Sequence, residues 1–181
     1  KPTIKKDVTP VPSKKAPQPI MPPRGMRDIL PSEQPLWDMV RNTCKSVASA
    51  YGFERIDTPF VEETNLFIRG VGKQTEVVEK QMYSFETEGG EKLSLRPEGT
   101  APVIRAYISN GMLNLPQPVK LQYIGPMFRH ERPQHGRYRQ FQTFGCEAIG
   151  EDDAVIDAQI ILISYLSLKE LSLDVTVRIN S

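Results

Sequence analysis

Apolar side chains recur at helical spacing between residues 36 and 51. Leu36, Met39, Val40, Val47, Ala48 and Tyr51 fall on one face, Ser32, Glu33 and Pro35 mark a start, and Gly52 marks a stop. From Phe53 to Phe60 the period drops to two, which predicts a strand closed by Pro59. A short helix over Thr64–Arg69 follows, then a hairpin of Met82–Glu86 and Lys92–Leu95 turning at Gly89 and Gly90. Gly99 to Asn110 predicts a helix stopped by Gly111. Val119–Ile124, Met127–Arg132 and Tyr138–Ile149 predict strands, the last two joined by a turn over 133–137. Asp152 or Asp153 caps an apolar helix reaching about Lys169, and Val175–Ile179 predicts a final strand. Hairpins outnumber strand–helix–strand units. The predicted fold is therefore α+β, a mostly antiparallel sheet flanked by helices.

Residues 1–24 break this patterning. They carry Pro2, Pro10, Pro12, Pro17, Pro19, Pro22 and Pro23 among lysines and predict a flexible Pro/Lys-rich tail, leaving 25–181 as the folded unit. Six cations against Asp7 alone leave the tail at +5 within a chain of net charge +1, so the remainder carries −4. That balance excludes a generally basic nucleic-acid binder and confines any such affinity to local patches. Two cysteines, Cys44 and Cys146, lack metal-ligand spacing and read as reduced, buried thiols. No apolar run approaches the ~18 residues of a membrane helix, and no signal peptide opens the chain. The expected location is cytoplasmic. The first residue is Lys1 rather than Met, as in a piece of a longer product.

The densest chemistry lies in FRHERPQHGRYRQFQTFGCE, Phe128 to Glu147. Arg129, Arg132, Arg137 and Arg139 fall within eleven residues, beside Glu131, His130 and His135. Strand alternation puts Arg129 and Glu131 on one face, and Arg137, Arg139 and Phe141 on one face of the returning strand. Guanidinium forks bind phosphate oxygens bidentately, and a ring beside them can stack on a base. The plainer alternative is an exposed hairpin with cross-strand Arg–Glu pairs, each contributing only ~0.2–1 kcal/mol. In Ser94–Thr100 a carboxylate, Glu98, precedes the hydroxyl of Thr100 by two residues. The pair suits an ammonium group, or else Glu98 offsets the helix dipole. Glu147, on a largely apolar strand, needs a cationic or N–H partner if buried. His130 and His135 have no third ligand, which argues against zinc. Gly70-Val71-Gly72-Lys73 matches neither phosphate-loop fingerprint. No metal site is predicted.

FRHERP with GRYRQF resembles the second signature motif of class II aminoacyl-tRNA synthetases, and GFERIDTPFVE (Gly52–Glu62) resembles the first. RGMRDILP (Arg24–Pro31), VVEKQMYSF (Val77–Phe85), LRPEGT (Leu95–Thr100), YIGPMFRHERPQ (Tyr123–Gln134) and GCE (Gly145–Glu147) are similar to signatures of histidyl-tRNA synthetases. The resemblance spans residues 24–181. It implies part of a class II catalytic core that joins histidine and ATP into histidyl-adenylate, then transfers histidine to tRNA(His). Magnesium would accompany the triphosphate, and the chain would be a homodimer.

Family membership would assign roles position by position. Arg129 would be the catalytic contact to the α-phosphate. Arg129, Glu131, Arg137 and Phe141 would bind ATP. Glu98 and Thr100 would hold the α-amino group of histidine, and Glu147 would face the imidazole. Arg132 and Gln134 would approach the tRNA acceptor end, and Pro59 would lie at the dimer interface. The family places a glutamine four residues before the GCE glutamate. Here that position is Thr143, with Gln142 beside it on the opposite face of a regular strand, so either could complete the histidine pocket only as strand geometry allows. The chain ends at Ser181, ahead of the histidine-specific loop, the third motif and the anticodon-binding domain that such a family carries. The alternative is a synthetase-like regulatory paralogue of histidine biosynthesis without aminoacylation.

Overall fold

The computed structural model describes residues 19–70, 72, 75, 77–132 and 134–179. Of the expected tail, 1–18 lie outside these residues, and 19–23 have no regular secondary structure. The frame is a three-stranded sheet of β1 (Glu54–Arg55), β5 (Val119–Phe128) and β6 (Gln140–Ile149), in the order β1-β5-β6. β5 and β6 pair antiparallel over their full length, Val119 opposite Ile149 through Phe128 opposite Gln140, and β1 runs parallel to β5. A second antiparallel sheet, β2-β4-β3, holds β2 (Val61–Glu63), β3 (Ser84–Glu86) and β4 (Lys92–Leu95). The α-helices among the described residues are α1 (Gln34–Ala50), α2 (Thr64–Gly70), α3 (Thr100–Ser109) and α4 (Ala154–Glu170).

Strand parity decides what each sheet face does. Odd-numbered residues of β5, including Val119, Leu121, Tyr123 and Met127, form a core with Val103 and Tyr107 of α3. On the opposite face, Phe144, Cys146 and Ala148 of β6 pack with Ala48 of α1, Ile163 of α4 and Phe53. Phe53, Phe67, Met127 and Ile163 are fully buried, each stabilising the fold by about 1.5–3 kcal/mol relative to exposure. Arg96 joins the two sheets. Its backbone N–H donates to Phe60 O and its carbonyl accepts from Phe128 N, both near 3 Å, while its buried guanidinium donates to Pro126 O and to both Thr58 oxygens.

Several expectations are corrected. Val119–Ile124 and Met127–Arg132 are not two strands, because β5 runs through Gly125 and Pro126 to Phe128. The contacts of Pro126 O and Phe128 N with Arg96 show that even residues of β5 turn their backbone polar groups away from β6. The missing N–H of Pro126 therefore breaks no β5–β6 hydrogen bond. The Phe53–Phe60 strand shrinks to Glu54–Arg55, since the chain leaves β5 after Ile56 N bonds Gln122 O and crosses to the second sheet. β6 begins at Gln140 rather than Tyr138. Leu173–Ile179 forms no strand and has no ladder partner among the described residues. The first residue before α1 is Glu33 rather than Ser32, and it makes no side-chain cap because its carboxylate turns back to Arg27 and Leu30 N. Leu36 and Met39, expected on the buried face of α1, are 63% and 48% exposed. Asp153 does cap α4, accepting from Val155 N at 2.8 Å.

Candidate active site

Between α3 and the odd face of the β5–β6 sheet, four polar side chains converge. Glu147 Oε1 accepts from Thr100 Oγ1 at 2.8 Å and from the Tyr123 hydroxyl at 3.3 Å. Burial holds the Glu147 carboxyl above its ordinary value, and these two hydrogen bonds pull partly the other way. Burial, with the Glu147 charge second, pushes the Tyr123 phenol up, so it is a donor at neutral pH. Glu98 sits at the start of α3, where its carboxylate accepts from Thr100 N at 2.6 Å and Ala101 N at 3.0 Å. The plainer reading of Glu98, helix-start chemistry, thus describes its contacts, and one carboxylate accepting two N–H groups keeps lone pairs for a further donor.

Six residues along either strand, from Tyr123 to Arg129 and from Glu147 to Phe141, the arginine hairpin closes on itself. Arg129 Nε donates to Pro97 O at 2.8 Å, and its guanidinium carbon lies 5.5 Å from the centre of the Phe141 ring. Glu131 lies between two cations, 4.0 Å from Arg129 and 3.7 Å from Arg137. One Arg–Glu pair across the hairpin, as in the plainer reading, is therefore present (Arg137–Glu131), while Arg129–Glu131 lies within one leg, and Arg137 remains 63% exposed. Such pairs contribute little in water and yield readily to a polyanion. Arg139 does not join this face: its Nε donates to Glu131 O at 3.1 Å and its Nη1 to Arg24 O at 3.4 Å.

The regular β5–β6 register settles the parity of the remaining candidates. Thr143, opposite Gly125, shares the face of Phe141 and Glu147, whereas Gln142, opposite Pro126, lies on the other face. No bulge re-aims Gln142, so it is not brought to the other histidine-site candidates. Arg132 and Gln134 are exposed at the hairpin tip, where Gln134 bridges Arg137. Pro59 is exposed on the connection between β1 and β2. The backbone N–H of His130 donates to Gln81 O at 2.7 Å, and its ring lies edge-on to Tyr83. Among the described residues no group of three or more His, Cys, Asp and Glu could hold a metal ion. Cys44 is buried and Cys146 half-buried, and burial pushes both thiols up, Cys146 to about 12. A groove of about 770 Å³ between α2 and α3 touches Glu98 and Thr100 at one end, but Arg129, Phe141 and Glu147 do not line it.

Sequence reasoning missed the buried ring of Tyr123 that organises the carboxylate cluster. A Cβ on Gly99 or on Gly145 would fall 2.3 Å from the Tyr123 ring, so these two glycines form its cradle. A Cβ on Gly125 would likewise meet Arg96 Nη2 at 2.6 Å. The sequence signal was a glycine between Glu98 and Thr100 in PEGT and another two residues before Glu147 in FGCE. Taken together, the face offers a hydrogen-bonded carboxylate cluster at one end, and cations beside an aromatic ring at the other. That combination suits a zwitterionic or cationic small molecule placed next to a nucleotide.

The histidyl-tRNA synthetase family model matches residues 25–180. The chain belongs to the histidyl-tRNA synthetase family. It is 52% identical over 157 residues to a histidine–tRNA ligase of Dehalococcoides mccartyi, covering 84% of this chain and 38% of that protein. It is 51% identical over 152 residues to one of Geobacillus thermodenitrificans, covering 83% and 36%. Apo S. aureus histidyl-tRNA synthetase superposes with TM-score 0.70 at 38% identity, over 83% of this chain and 34% of that one. A structure described as an ATP phosphoribosyltransferase regulatory subunit/histidyl-tRNA synthetase from Bacillus halodurans C gives TM-score 0.74 at 26% identity, over 88% and 40%. The chain spans little more than a third of the length of the curated relatives it matches. As a family member it has the mixed α+β architecture of a class II catalytic domain.

Proposed function

We propose that this chain carries the ATP- and histidine-binding part of a histidine–tRNA ligase catalytic domain, which activates histidine as its adenylate for transfer to tRNA(His). The observation that carries the reading is one sheet face bearing both the Glu147–Thr100–Tyr123 cluster and the Arg129–Phe141 stack. Glu98 and the Thr100 hydroxyl would receive the α-amino group, and Glu147 would accept from an imidazole N–H. Phe141 would exchange the Arg129 guanidinium for adenine. Arg129, released from the ring, would bind the α-phosphate and offset the charge that builds as the histidine carboxylate attacks phosphorus and pyrophosphate leaves. Arg137 would take the outer phosphates, with magnesium arriving as their counter-ion. Thr143 would stand where the family pattern has a glutamine, with one hydroxyl to offer the histidine. Arg132 and Gln134 at the tip would meet the tRNA acceptor end, and the exposed Pro59 would lie at a homodimer interface. No helix among the described residues is long and apolar enough to cross a membrane.

The regulatory alternative needs histidine binding alone. The Arg129, Glu131 and Arg137 constellation favours the nucleotide reading, because a histidine sensor has no use for triphosphate forks. Pyrophosphate exchange into ATP tests the choice. Exchange that requires histidine and is lost in Arg129→Ala supports the ligase reading. Exchange indifferent to the amino acid supplied, or histidine binding with no MgATP binding, contradicts it.

A further inference from the structure

The segment before α1 makes contacts that neither substrate site requires. Pro23 O accepts from Met26 N at 2.9 Å, turning the chain so that Gly25 O accepts from Arg139 N at 2.7 Å and from Gln140 N at 3.4 Å. Arg139 O in turn accepts from Arg129 N at 2.9 Å. Gly25, Arg139 and Arg129 are thus linked in series by backbone hydrogen bonds. Side chains reinforce the link: Arg139 Nη1 donates to Arg24 O, and Arg139 Nε to the carbonyl of Glu131. Arg27 lies 5.9 Å from the Tyr138 ring centre and pairs at 2.7 Å with Glu33, the residue that precedes α1. From the other side, Gln81 O holds His130 N at 2.7 Å.

Only glycine fits at the first link. Gly25 has φ +83°, and a Cβ there would lie 2.8 Å from Arg139 Cγ and 3.0 Å from its Cδ. We propose that residues 23–33 are a brace that anchors the two legs of the arginine hairpin to α1, with Gly25 and Arg139 as positioning residues that set where Arg129 and Glu131 stand. Arg139 is then a structural tie rather than a phosphate ligand. The consequence for nucleotide binding rests on the reading given above; the brace itself does not.

The test compares Gly25→Ala with Gly52→Ala in the whole 181-residue chain. Gly52 has a similar φ of +81°, but a Cβ there meets nothing within 4 Å, so it reproduces the backbone strain without the contact. Amide hydrogen exchange is read across 129–140, and MgATP affinity is measured by titration. The brace predicts that Gly25→Ala accelerates exchange at Arg129, Arg139 and Gln140 roughly tenfold, with Gly52→Ala leaving those amides within about twofold of wild type. MgATP binding weakens with Gly25→Ala and not with Gly52→Ala. Arg139→Ala, which removes Cγ and Cδ, should itself loosen these amides and should shrink the additional effect of Gly25→Ala to less than about threefold. Equal acceleration by the two glycine variants, or none with Gly25→Ala, overturns the proposal. If wild type binds no MgATP, the nucleotide reading fails while the exchange comparison still decides the brace.

Discussion

At one end of the β5–β6 face, Glu147 is half-buried and already holds hydrogen bonds from Thr100 and Tyr123. At the other end, Arg129 and Arg137 lie 4.0 and 3.7 Å from Glu131 and stay partly in water. The first end is assembled by the fold: two glycines make room for a ring, the ring positions a carboxylate, and burial raises its proton affinity. The second end is only half neutralised, its two cations sharing one glutamate and an aromatic ring that a nucleotide would replace. A selective site for a small polar molecule benefits from preorganisation. A polyanion site must instead release its internal pairs when the polyanion arrives, and weak solvent-exposed pairs make that release inexpensive.

The contrast can be broken most severely at the cradle. Gly145→Ala or Gly99→Ala forces a methyl into the Tyr123 ring and should cost about 1–3 kcal/mol of stability, measured by chemical denaturation. It should also impair histidine binding while largely sparing MgATP. Next, Arg129→Ala should weaken MgATP binding roughly 10- to 100-fold, the worth of one charged hydrogen-bonded group, by calorimetric titration. Histidine binding should survive this change.

Glu147→Gln should abolish measurable histidine binding yet leave the fold at least as stable at pH 7. The folded chain holds its Glu147 proton to higher pH than the unfolded chain, so it binds more protons from about the ordinary carboxyl value of 4.5 upward. Stability from this group therefore falls as pH rises through that window. Glutamine removes that slope, which a pH series of denaturation midpoints would show. The smallest effect is expected at Glu131→Gln. Its loss of two weak, partly exposed pairs should change stability by about 1 kcal/mol or less, and the salt dependence of MgATP binding should register it more clearly.

Much of this arrangement was legible in the chain because periodicity reports faces. Strand parity alone placed Thr143 with Glu147 and Phe141 and set Gln142 apart, as the unbroken register shows. The hairpin at Gly89-Gly90, the helix stopped by Gly111 and the Asp153 cap were local signals and had local causes. What could not be read depended on partners distant in sequence. Pro126 looked like a break because its missing N–H has a direction that only Arg96, 30 residues earlier, makes evident. Val175–Ile179 has the composition of a strand, but composition does not supply a neighbour to pair with. Leu36 and Met39 followed the helical stripe while only the latter half of α1 reached the core. The Tyr123 cradle joins glycines 46 residues apart, and no pattern along the chain encodes that meeting.

The proposed function requires two separable binding ends on one sheet face. Backbone NMR of the isotopically labelled chain, titrated in turn with L-histidine and with MgATP, tests it most directly. Histidine should perturb Glu98, Thr100, Tyr123 and Glu147, and MgATP should perturb Arg129, Glu131, Arg137 and Phe141. Perturbations confined to the groove between α2 and α3, or identical responses to the two ligands, would contradict it.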